Sequence, residues 1–219
     1  MAQRLIHLLF CEKVMEKIEV KDKNRFILGN LLPDAYTGKE FRKATHYVTE
    51  IENGKTAYFG FDQFRKAFSD LILTDDLYLG YYMHLVVDAF YRDKLYNKLN
   101  LRDKLQTYAD VKILHNDYRL LNPYIIEKYG VAKEIPCPEN WEEEPLRHAF
   151  PFTLENFFAD MEKDYTNCGV GSTQFVTEQA LDEFVEEYVD LCVKEIQSVK
   201  KNEEYLSPFS FKYEYIDMK

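Results

Sequence analysis

His84 and Asp88 stand four residues apart in the otherwise apolar run LYLGYYMHLVVDAFYRDKL, from Leu77 to Leu95. On a helix, that spacing puts an imidazole and a carboxylate one turn apart on the same face. The run is apolar almost all the way round, which predicts a helix in the middle of a domain. A carboxylate in such surroundings is costly unless it is paired or holds a cation, and an imidazole at helical spacing is a ready co-ligand. The same pair can also be a hydrogen-bonded structural contact. What else the chain brings to it decides between the two.

Three further histidines fall on or beside expected helices, and one carboxylate sits in an apolar setting. His7 lies near the start of a helix over residues 2–19, where Leu5, Leu8, Leu9, Val14, Met15 and Ile18 recur at helical spacing. Residues 25–32 (RFILGNLL) form a second helix that stops at Pro33. The residue before a proline is pushed out of the helical region, so Asp34 projects just past the helix end, in GNLLPDAYTG. His46 lies in FRKATHYV. His115 lies on a helix from Tyr108 to Leu121 that Asn122-Pro123 ends.

The elements that must carry these residues follow from the rest of the chain. YVTEIENGKTAYFGF alternates on either side of Glu52-Asn53-Gly54-Lys55 and predicts a hairpin. Asp62 opens a short helix to about Leu71, and Thr74-Asp75-Asp76 caps the central helix. Residues 100–103 read as a break. Pro136, Pro138 and Pro145 make residues 131–151, with Trp141 and His148, an irregular segment. Thr153 to Asp164 is a short helix, and Thr177 to Lys200 an amphipathic packing helix. The tail beyond Asn202 is rich in aromatics and is expected to lie on the body. The expectation is one mostly α domain over residues 1–219, multi-helix with a small β-hairpin.

Composition narrows the function. Twenty-eight basic against 38 acidic residues give a net charge of -10, which argues against general nucleic-acid binding. Cys11, Cys137, Cys168 and Cys192 are scattered, without the spacing of a zinc ribbon or a disulfide framework. The N-terminus makes a poor signal peptide, and no run approaches the ~20 apolar residues of a membrane span. A cytoplasmic protein is expected. The amphipathic C-terminal helix is acidic on its polar face, which argues against docking on anionic lipid.

Histidine and carboxylate together are the ligand set of zinc, manganese or iron, and paired ions form the usual clamp for phosphoester hydrolysis. The order and local contexts of His7, GNLLPDAYTG with Asp34, KATHYV with His46, and YLGYYMHLVVDAFY with His84 and Asp88 resemble the zinc-dependent phospholipase C family. More distantly they resemble the single-strand-specific zinc nucleases of the same helical fold. The resemblance covers about the first 120 residues. It implies that Asp34, His46, His84 and Asp88 hold one ion, and that His7 and a bridging Asp88 contribute to a second. It makes Asp34 the group that orients or deprotonates a metal-activated water. His115 is a further candidate ligand, although Arg119 stands where the family's later His-x-x-x-Glu pair has its carboxylate. No processed N-terminal ligand of the kind used by secreted members is evident, so a reduced site of one or two ions is implied. Arg42, Arg92 and Arg119 are candidates to clamp the phosphate of a small phosphoester substrate. The alternative is a non-catalytic helical binding protein with a structural His/Asp metal site.

Overall fold

The computed structural model describes residues 2–131, 135 and 141–214. In chain order its elements are α1 (Arg4–Met15), α2 (Lys23–Leu31), α3 (Arg42–Thr45), β1 (Val48–Ile51), β2 (Thr56–Phe59), α4 (Phe61–Ala67), α5 (Ser69–Thr74) and α6 (Asp76–Arg92). There follow α7 (Leu101–Lys104), α8 (Tyr108–Tyr129), α9 (Pro145–Ala149), α10 (Leu154–Thr166), α11 (Glu178–Lys200) and β3 (Tyr213–Glu214). The protein is mostly α-helical with a small antiparallel sheet, in the order β1-β2-β3.

The central helix is α6, capped by the Asp75 side chain, which accepts from the Leu77 N–H, and buried on every face from Leu77 to Tyr91. It packs against α1, α2, α5 and α11. Each large apolar side chain buried there is worth about 1.5–3 kcal/mol. The approach of α2 is unusually close. A Cβ on Gly29 would lie 1.9 Å from the Leu77 carbonyl oxygen, and one on Gly80 would lie 2.1 Å from that of Phe26. Both positions therefore require glycine, and the contact brings Asn30 of α2 against α6.

The hairpin pairs Val48 with Phe59 and Ile51 with Thr56, and its turn takes positive φ at Glu52, Asn53 and Gly54. The sheet also has a third strand that local pattern does not announce: the tail returns so that Thr56 and Ala57 pair with Glu214 and Tyr213.

Four expectations about boundaries are corrected. Pro33 does not stop the chain's helical course, because Leu32–Asp34 continues α2 as a 3-10 turn. The helix expected from Asp62 to Leu71 breaks at Phe68 into α4 and α5. Asn100, at φ 52, is followed by the short α7 rather than an extended break. Pro123 does not end α8, which runs on to Tyr129 and closes at Gly130 with φ 67. Burial of Leu121 and Ile125, together with the Asn122 Nδ2 bond to the Asp164 carbonyl, outweighs the hydrogen bond lost at the proline. The segment expected to be irregular contains a 3-10 turn, Trp141–Glu143, and α9. Pro136, Cys137 and Pro138 lie outside the described residues. Cys11, Cys168 and Cys192 are unpaired. Among the described residues no helix is long and apolar enough to cross a membrane.

Candidate metal centre

Four elements deliver the cluster. The buried face of α1 carries His7, the 3-10 turn after α2 ends at Asp34, His46 follows α3, and α6 supplies His84 and Asp88. Immediately after His46, Tyr47 takes φ 49, which turns the chain back into β1 and leaves the imidazole facing inward.

Three imidazoles converge on one carboxylate. His7 Nε2 lies 3.5 Å from Asp88 Oδ1, and the Nε2 atoms of His46 and His84 each lie 3.6 Å from Asp88 Oδ2. His46 Nε2 is also 3.3 Å from Asp34 Oδ1. These contacts are too long or too poorly aligned to be good hydrogen bonds. The Nε2 atoms of all three histidines and Asp88 Oδ2 are buried without a hydrogen-bond partner. Ligand atoms of His7, Asp34 and His84 lie within 4.8 Å of one another, as do those of His46, His84 and Asp88. The His7 and His84 rings stack with centroids 3.7 Å apart.

The other ring nitrogens of His84 and His46 are held from behind, whereas His7 Nδ1 is buried without a hydrogen-bond partner. His84 Nδ1 lies 2.6 Å from the Asn30 carbonyl oxygen. His46 Nδ1 is 2.9 Å from the Arg42 carbonyl and 3.0 Å from Thr45 Oγ1. A backbone carbonyl requires a donor, so Nδ1 carries the proton in His84 and His46, and the Nε2 lone pairs point into the cluster. Metal-ligating histidines are oriented in this way. The Tyr81 hydroxyl in turn donates to the Thr45 carbonyl. The Ala2 backbone nitrogen donates to Asp88 Oδ1 at 2.6 Å.

Burial and then the charge of His84 lower the His7 pKa to about 4. Burial likewise lowers that of His46, whereas the Asp88 and Asp34 charges overcome burial and raise that of His84. Burial pushes the Asp34 carboxyl up, but His46 and the field of His84 outweigh it and hold it well below the carboxylate range. Burial pushes the Asp88 carboxyl up as well, but it too is held well below the carboxylate range, with its contacts to His7 and His84 among the causes. At neutral pH the cluster thus offers two carboxylates with His7 and His46 neutral, and a cation bound there would displace the proton that the carboxylates favour on His84.

Asp34 is the member that meets solvent, with 13% side-chain exposure against 0% for the other four. It lines an open cavity of about 780 Å³, whose wall also carries Arg4, Tyr36, Arg42, His115 and Arg119. Two expected cations, Arg42 and Arg119, therefore stand on the cavity wall. Arg92 does not: it lies between the rings of Tyr96 and Tyr213, 4.1 and 4.4 Å from their centroids, because β3 brings Tyr213 over the end of α6. His115 is exposed on the wall, outside both ligand groups, and His148 is exposed on α9. Sequence reasoning missed Asn30 and Arg4. A polar residue beside Gly29 on an apolar helix was the available sign of the first. The second stands one turn before His7, and binds Asp164 at 2.6 Å.

Fold and cluster together define a class: a mostly helical protein whose central helix and three other segments enclose three histidines and two carboxylates beneath an open cavity. Comparison of the chain with family models, with curated proteins and with solved structures finds no match.

Proposed function

We propose that this protein is a metal-dependent phosphoesterase, related to the zinc-dependent phospholipase C family that its motifs resemble. The reading is carried by four buried ligand-type atoms that converge without hydrogen-bond partners beside a carboxylate at the floor of an open cavity. Each such atom left unsatisfied costs about 1–3 kcal/mol, which a cation would repay. Asp34, His46, His84 and Asp88 would hold one divalent ion, and His7 with Asp88 would contribute to a second. Zinc suits this donor set, with manganese and iron as alternatives.

A divalent ion there supplies Lewis acidity toward a phosphoryl oxygen and lowers the pKa of water. The chain's own residues do the rest. Asp34, ionised and open to the cavity, accepts a hydrogen bond from the attacking water and aims it. Its low pKa suits it to orienting that water more than to keeping the proton. Arg42 and Arg119 stand where anionic oxygens of a bound ester would enter.

A second reading, a structural metal in a binding protein, draws on the complete burial of His7, His46, His84 and Asp88. Elemental analysis beside a phosphomonoesterase and phosphodiesterase screen with added zinc or manganese separates the two. One to two equivalents of metal, lost together with turnover in the His84→Ala/Asp88→Ala variant, are expected. Asp34→Asn should fold and bind the ion more weakly, and with metal in excess its turnover should still fall by about a hundredfold or more. A loaded wild type that is inert toward every ester would favour the structural role.

A further inference from the structure

The charge on the cavity wall runs against that of the whole molecule. The chain carries a net charge of -10, yet Arg4, Lys39, Arg42, Arg119 and Lys163 all line this cavity. Two of them are committed: Arg4 to Asp164 at 2.6 Å and Lys163 to Asp160 at 2.6 Å. Lys39 and Arg119 have no ion pair among the described residues, and Arg42 stands with them on the wall. The remaining carboxylate of the cavity, Asp34, faces His46. The wall's desolvation and then the charges of Arg119 and Arg42 depress the His115 pKa, so the positive field is felt on that side. A local field of this sign in a strongly acidic protein concentrates anions at the cavity.

Size adds a second constraint. A cavity of about 780 Å³ is far larger than a phosphate group and falls in the range of small-molecule sites. Once one phosphoryl group occupies the floor at Asp34, Lys39 and Arg119 still face open space.

We propose that this wall binds a second anionic group of the substrate, which is thus a small phosphoester bearing a further phosphate or carboxylate. The inference rests on the phosphoesterase reading for the group at the floor. Arg119 supplies a planar fork suited to a second oxyanion, and Lys39 a mobile point charge at the rim.

The test is calorimetric binding to the zinc-loaded protein of short-chain alkane bisphosphonates, carboxyalkylphosphonates with a single carboxylate and the matching plain alkylphosphonates, none of which can be hydrolysed. Wild type should bind the ligands with a second anion at least about tenfold more tightly than the plain ones. Lys39→Gln/Arg119→Gln should shrink that preference to less than about threefold at unchanged zinc content, and added salt should weaken it in wild type. Lys39 is exposed and Arg119 half-buried, so the fold should tolerate both changes. Equal binding of both ligand types by wild type, or a preference that survives the double substitution, would overturn the proposal. Ester turnover measured in parallel separates the two readings. An intact preference without turnover sinks the hydrolase alone, and turnover of simple monoesters without a preference sinks the second-anion site alone.

Discussion

The His46 imidazole depends on a chain of single hydrogen bonds. Its Nδ1 rests on the Arg42 carbonyl and Thr45 Oγ1, and the Thr45 carbonyl is itself tied down by the buried Tyr81 hydroxyl. Tyr81→Phe keeps the ring stacked on Phe64, at 4.4 Å, but leaves the Thr45 carbonyl without that donor. The expected loss is about 1–2 kcal/mol of stability in denaturant titration. Metal affinity should fall as well, since outer-shell partners of this kind typically matter about 10–100-fold. Unchanged zinc affinity in a variant that is measurably less stable would show that Thr45 does not position His46. At this scale the ligand set was legible because His84 and Asp88 break an apolar pattern. Arg92 breaks the same pattern one turn later but belongs to an aromatic sandwich, and only the tail's return to the sheet distinguishes the two cases.

Between elements, the decisive contact is that of α2 with α6. The Gly29 and Gly80 crossing places the Asn30 carbonyl on His84 Nδ1 and lets Asn30 Nδ2 donate to the Gly80 carbonyl at 3.1 Å. Gly80→Ala would put a methyl carbon against backbone, which a side-chain rotation cannot relieve. It should cost at least about 1–3 kcal/mol and weaken zinc binding in the same protein, read by thermal unfolding and metal titration. A stable Gly80→Ala protein with full metal affinity would mean that the crossing does not set the His84 ring. A second junction joins α11, α6 and the tail, where Glu195 accepts from the Tyr82 hydroxyl and the Leu206 N–H. Burial raises the Glu195 pKa above its ordinary 4.5, with the Tyr82 bond opposing. A raised folded-state pKa gives stability that is full below the ordinary value and is lost as pH rises through the folded one. Glu195→Gln, whose amide can donate to Tyr82 while its oxygen accepts from Leu206, should therefore flatten the stability curve from about pH 4.5 upward; an unaltered slope would rule this out. The helices that meet here were readable from apolar spacing. The continuation of α8 past Pro123 and the strand β3 were not, because both are decided by packing between segments distant in sequence.

Across the whole molecule, the five clustered residues belong to segments spread from His7 to Asp88, and among the described residues single bonds such as Ala2 N–H to Asp88, His84 to Asn30 and Tyr81 to Thr45 tie α1, α2, α3 and α6 near their ligand ends. Between those ties the imidazoles and carboxylates face one another at 3.3–3.6 Å without good hydrogen bonds to each other. A cation would join all four segments at once, and it binds the folded chain far better than the unfolded one. Linkage then fixes the size of the effect: at free zinc about a hundredfold above the dissociation constant, the folded state gains about 2.7 kcal/mol. For a chain of this length that is a rise in melting temperature of about 5–10 °C. Wild type should show this rise on zinc addition and lose it to a chelator. Glu195→Gln should keep it, because Glu195 lies outside the ligand groups, and Asp88→Asn should abolish it, because Asp88 is the carboxylate that all three imidazoles share. A wild type whose unfolding is indifferent to zinc, manganese and iron alike would leave the cluster as a polar network stabilised by its own charges, and the hydrolase reading would fall with it.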